Sequence, residues 1–219
     1  MLGLIGLFFL FHLGIVVISH LTGRHSLLGS VSLLNLDSES SVATWYSILT
    51  LAASSILLIA IYRHHSEKPS RFSVYWLVLG LIFLFLSIDE ACSIHEKITK
   101  GFLSYGIRFG LVHGQWAVVY GTLMVVLFLF LLPFLKYLSP PLKLRFFVAG
   151  AVFVSGAIGM NILGGFFRHW GKLVYHIFTG MEEVLEMIGI ALFIRALLLY
   201  IHEERVSLSV RFLAKPIKS

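Results

Sequence analysis

Six apolar stretches dominate the chain, at about residues 2–20, 42–62, 72–91, 113–135, 145–166 and 175–201. Each is close to the ~20 residues a helix needs to cross a hydrocarbon core about 30 Å thick. The pattern predicts an all-α fold, a polytopic transmembrane bundle of six helices in a single domain over 1–219. A basic tail follows at 202–219. Ser40 or Ser41 stands where the second helix should be capped. The third stretch ends in Ser87-Ile-Asp-Glu-Ala-Cys-Ser-Ile-His-Glu96. If that helix continues, Asp89, Ser93, Glu96 and Lys100 share one face, while Glu90 and His95 point elsewhere.

Polar positions inside the last stretch break the apolar pattern most sharply. Glu182, Glu183 and Glu186 fall within an arc of about 100° on one helix face, and His176 lies near the azimuth of Glu183 two turns earlier. An acidic side chain at the centre of a membrane helix costs roughly 2.5–3.5 kcal/mol, so three of them require partners or hydration. A polar site inside the membrane follows from this, without a substrate attached to it.

Composition agrees with the pattern. With 58% apolar residues, 13% charged residues and a mean hydropathy of +0.92, the chain has little room for a soluble or disordered domain. The net charge of +6 is no nucleic-acid footprint, because the basic residues sit in short connections between apolar runs. Arg63, Lys68, Arg71, Lys136, Lys143, Arg145, Arg195, Arg205, Arg211, Lys215 and Lys218 lie on one predicted side. Arg24, Lys97, Lys100, Arg108, Arg168 and Lys172 lie on the other. This asymmetry predicts that both termini are cytoplasmic, as expected for a bacterial inner (cytoplasmic) membrane protein. The Leu2–Ile18 segment lacks a basic leader and precedes further spans, so it reads as a retained helix. The single cysteine, Cys92, excludes an intrachain disulfide framework.

The first external connection, 21–41, is apolar enough to lie on the membrane surface or to fold over the bundle, with Asp37 and Glu39 near its end. Cys92-x-x-His95 has the spacing of a ligand pair but reads better as a small core thiol beside an interfacial histidine. His113 and Gln115 enter the membrane on the outer side. Gly150, Ser155, Gly156 and Gly159 allow close helix approach in the fifth stretch, which ends in polar Asn161. His64 and His65 read as solvated interface residues, and His12 and His20 as structural. No phosphate loop is present, and the placement of the acids argues against an inverted repeat.

Leu36-Asp-Ser-Glu39 before Thr44-Trp-Tyr-Ser47, Leu86-Ser-Ile-Asp-Glu90 with Ile94-His-Glu96, and Met181-Glu-Glu-Val-Leu-Glu-Met-Ile-Gly189 together resemble an uncharacterised family of bacterial multi-pass integral membrane proteins. The resemblance covers most of the chain. It implies the fold class and the choice of acidic residues, and no reaction.

Three functions compete for the site. Glu183, Glu186, Asp89, Glu96, Glu182, Glu90 and His95 could bind a divalent metal, Fe, Mn or Zn, in a membrane hydrolase or oxidoreductase. The diagnostic Glu-x-x-His and His-Glu-x-x-His patterns are missing. The same acids could instead carry protons or cations in a coupled transporter, although the inner halves of the helices look dry. Or they could pair with Lys97, Lys100, Arg168 or Lys172 in a non-catalytic subunit of a larger membrane complex. The partners implied are the lipid bilayer and possible membrane-complex subunits, and no nucleic acid.

Overall fold

The computed structural model describes residues 1–23, 32–36, 38, 41–66, 72–109 and 115–206, with the side chain of Arg168 excepted. Asp37, Glu39, Ser40, Lys68, Arg71, His113 and the tail from 207 onward lie outside the described residues. Among those described there are seven helices and no strand: α1 (Leu2–Thr22), α2 (Val42–Ser66), α3 (Ser73–Cys92), α4 (Ile94–Ser104), α5 (Trp116–Tyr137), α6 (Pro140–Phe167) and α7 (Lys172–Glu203). All but α4 are long and apolar enough to cross a membrane. Single 3₁₀ turns at Ser32–Leu34 and Arg168–Trp170 complete the picture.

The six expected spans are present, with ends that local chemistry explains. Ser41 caps α2, its Oγ accepting the Thr44 N–H at 3.0 Å. Helix α6 begins at Pro140 and not near 145, because Ser139 supplies the entry and two prolines occupy the first turn, where no intrahelical N–H is needed. Lipid-facing residues such as Leu21, Trp45, Ile56 and Phe147 remain exposed, as a bilayer solvent allows.

Helix α7 is the centre of the bundle. It packs against α1, α2 and α6, and half of its spanning window is buried, against 6% for α5. The α2–α3 pair is held by side-chain hydroxyls donating to carbonyls across the interface: Ser55 Oγ to Gly80 O at 2.8 Å, and Ser87 Oγ to Ile48 O at 3.0 Å. Such contacts contribute about 0.6 kcal/mol each in membrane bundles, so small-residue packing must supply the rest. The main core, with Leu58, Ile61, Trp76, Phe134, Phe146, Phe193 and Leu197, fills the bundle half nearer the C-terminal end of α7. This half is apolar, and members of its core such as Phe134, Phe146 and Phe193 also form one wall of an apolar cleft beside α5.

Two histidines tie helices together. His12 is fully buried; its Nδ1 accepts the Leu36 N–H at 3.2 Å, so Nε2 donates to the His176 carbonyl at 3.0 Å. One ring thus ties α1 to α7 and to the turn before α2. His65 departs from the solvated position expected of it, being hydrogen bonded to Tyr200 Oη at 2.7 Å and stacked on Trp76. Arg145 meets Glu203 at 2.9 Å, locking α6 to the end of α7.

Helix α5 stands partly apart. Its C-terminal end is anchored by fully buried Phe134, which meets the Trp76 ring edge-on and stacks on Tyr75. Its N-terminal end is anchored by Trp116 and Tyr120. Between the anchors Leu123, Val126, Leu129 and Phe130 remain exposed, and the space behind them is open.

Candidate functional site

The site is created by a break in the helix that the sequence suggested would continue. Ser93 takes a left-handed conformation (φ 49°, ψ 46°) while its N–H still bonds the Asp89 carbonyl, so α3 stops at Cys92 and α4 departs in a new direction. The expected shared face of Asp89, Ser93, Glu96 and Lys100 does not form. His95, expected to point elsewhere, turns back onto Asp89. Its backbone N–H donates to Asp89 Oδ1 at 2.9 Å, and its Nδ1 meets Oδ2 at 3.2 Å. Tyr120 Oη donates to Oδ1 at 2.9 Å from α5. Cys92 is exposed, not the core thiol expected, and shares no site with His95.

Asp89 therefore satisfies three donors from a buried position, and a carboxylate–histidine pair results in which the acid fixes both ring orientation and tautomer. Trp116 presses an edge against the His95 ring, with centroids 5.5 Å apart. The Trp116 N–H is taken by Thr99 Oγ1 at 3.2 Å, which joins α5 to α4. Gln115 supports the same corner, accepting the Phe109 N–H at 2.6 Å. Tyr120 and Trp116 are the residues that sequence reasoning missed. Their spacing of four on one helix face was the available signal, but nothing in it named Asp89 as the partner.

Across from the pair lies α7. All seven residues singled out from the sequence, Asp89, Glu90, His95, Glu96, Glu182, Glu183 and Glu186, line one cavity of about 630 Å³, with Asn161, Tyr120 and Thr179 beside them. Glu96 sits at the rim and is bound to Lys100 at 2.6 Å, both partners well exposed. Glu186 lies deeper. No hydrogen bond or ion pair reaches it among the described residues, and the charges that act on it, from Glu182, Glu90 and Asp89, are all acidic. Tyr175 and Thr179 line the cavity, whereas His176 does not; its carbonyl serves His12.

The close approach of α6 fixes the height of the glutamates. Gly156 faces the α7 backbone so tightly that a Cβ there would lie 2.9 Å from Glu182 O and 3.0 Å from Glu186 N. Gly189 meets Phe153 in the same way. At this level α6 widens into a π-helical turn, Ser155–Met160, which delivers buried Asn161 to the cavity wall. Such turns are frequent where a helix serves a site.

For a metal, the arrangement is less favourable than the sequence suggested. Among the described residues no three His, Cys, Asp or Glu side chains close around one ion-sized point. Asp89 already spends both oxygens on His95 and Tyr120. The carboxylates share a cavity without forming a cage.

Fold and cavity together define an all-helical, multi-pass membrane protein with an acid–histidine site inside its bundle. The chain belongs to the family described as a domain of unknown function (DUF8692), whose model matches residues 2–201. No curated protein and no solved structure shows detectable similarity to it.

Proposed function

We propose that the protein is a membrane-embedded acid–base enzyme, a hydrolase or transferase, whose Asp89–His95 pair takes a proton from a water or hydroxyl bound in the cavity. The observation that carries this reading is the Nδ1–carboxylate contact at 3.2 Å in a cavity wall, the arrangement that orients a histidine for proton transfer. Glu186 or Glu182, on the opposite wall, returns a proton to the leaving group. Tyr120 and Trp116 hold the pair in place. Charge asymmetry supports a cytoplasmic position for both termini, with the cavity facing outward.

The test is turnover. The purified protein is incubated with polar and lipid fractions of a membrane extract, and paired loss and gain of compounds is followed by mass spectrometry. The reading requires at least one substrate–product pair that appears with the wild type and falls by about 10²–10⁴-fold in His95→Gln and Asp89→Asn. No wild-type-dependent pair, or a pair indifferent to both substitutions, overturns it.

A second reading, proton or cation coupling, rests on the gathering of Glu182, Glu183 and Glu186 with Asp89 and Glu90 in one cavity. Because no three of these side chains close on one ion-sized point among the described residues, Glu182 and Glu186 would on this reading exchange protons or a hydrated cation, with Fe, Mn or Zn bound only if the carboxylates move together. Elemental analysis of the wild type beside Glu182→Gln/Glu186→Gln separates the two. A stoichiometric metal lost in the variant selects the cation reading.

A further inference from the structure

The cavity does not end at the acids. Ile82, Leu86, Met124, Leu127, Phe153 and Val154 line both it and a second cleft of about 890 Å³, so the two spaces adjoin across these side chains. The second cleft follows α5 toward Lys136, Pro140 and Lys143, and among the described residues its lining carries no charged side chain apart from those two lysines. From Tyr120 to Lys136 the path is ~24 Å by helical rise, most of the depth of a hydrocarbon core. It lies behind the stretch of α5 that is anchored only at its ends, so it opens toward the lipid.

A space of this kind has one polar end and one long apolar arm. Among the described residues six carboxylates line the polar end, against His95, which Asp89 holds, and Lys100, which Glu96 holds. An anionic head group would meet like charge there, whereas an uncharged hydroxyl or amide, or a cationic amine, would find acceptors. Taking the acid–base reading as its basis, we infer that the substrate is a membrane amphiphile. Its long acyl or isoprenoid chain lies in the apolar cleft, and its uncharged or cationic head lies between His95 and Glu186. Lateral entry past α5 brings the bond to be attacked to the histidine without the chain leaving the bilayer.

The probe is a monoacylglycerol with a photoactivatable diazirine in its acyl chain, added to the full-length protein in phosphatidylcholine nanodiscs. Adducts are mapped by mass spectrometry. The inference requires adducts on cleft residues such as Met124 and Phe153 to exceed those on lipid-facing Phe11 and Leu21 of α1 by about tenfold. They must be competed by unlabelled monoacylglycerol. A diazirine fatty acid at alkaline pH, with its carboxylate head, must label the cleft several-fold less. Val154→Trp, at the junction of the two spaces, must reduce the adducts several-fold; Leu86→Phe serves if the first variant does not fold. Even labelling of the cleft and α1, the pattern of annular lipid, overturns the inference, as does equal labelling by the anionic probe. The readout needs no turnover, so the two claims fail separately. His95-dependent conversion of a water-soluble compound without cleft labelling removes only the amphiphile. Cleft labelling without His95-dependent conversion removes only the acid–base reading.

Discussion

Replacing Asp89 tests the junction on which the site depends. The residue is 6% exposed, and Oδ1 accepts two donors at 2.9 Å, the His95 N–H and Tyr120 Oη, while Oδ2 faces His95 Nδ1. Asparagine can keep the two bonds to Oδ1 but sets an amide NH₂ against Nδ1, so the ring must change tautomer and the charge-assisted bond is lost. That costs about 1.5–3 kcal/mol. Alanine strands all three donors and costs about 3–5 kcal/mol. For a chain of this size 1 kcal/mol moves the melting temperature by about 2–4 °C. The expected losses are therefore roughly 3–12 °C for Asp89→Asn and 6–20 °C for Asp89→Ala. Thermal unfolding in detergent measures the totals. Hydrogen exchange over 94–104 should rise in both variants, because α4 is tied to α3 through these contacts. An alanine variant melting with the wild type, or unchanged exchange in 94–104, would refute the reasoning.

Three further substitutions separate packing from chemistry. Gly156→Leu places a Cβ 2.9 Å from Glu182 O and from Leu185 Cβ, where contacts of 3.5–4 Å are usual. Helices α6 and α7 must part, at about 1–3 kcal/mol, and Glu186 moves with them. Turnover should fall along with the melting temperature. Gly159→Ala, whose Cβ meets only Ser155 at 3.9 Å, should leave both unchanged. His12→Ala removes two hydrogen bonds of a fully buried ring outside the cavity and should lower stability by about 1–3 kcal/mol while sparing turnover per folded molecule.

The parts of this structure that depend on one helix at a time were readable from the sequence. Hydropathy located the six spans, and helical spacing put Glu182, Glu183 and Glu186 on one face. Counting spans placed those acids at the same end of the bundle as Asp89, Glu90, His95 and Glu96. What depends on contact between helices was not readable. The turn at Ser93 has no glycine or proline to announce it, since the left-handed residue is held by the bonds on either side of it, and one of those comes from α5. Without that turn His95 appeared to face away from Asp89. The same holds for His65, whose Tyr200 partner is 135 residues away. It holds as well for His12, whose acceptor is the backbone of α7, a group identical at every position of the sequence.

The account turns on Glu186 lining an accessible cavity at the level of Asp89 and His95. Cysteine modification addresses this directly. In a Cys92→Ser background, Glu186→Cys is exposed to a small cationic methanethiosulfonate reagent in reconstituted vesicles, with Leu58→Cys, at a fully buried position of the main core, as control. The account predicts rapid modification of Glu186→Cys, from the same membrane side that reaches native Cys92, and none of Leu58→Cys. A Glu186→Cys variant that folds yet resists the reagent as completely as Leu58→Cys would contradict it.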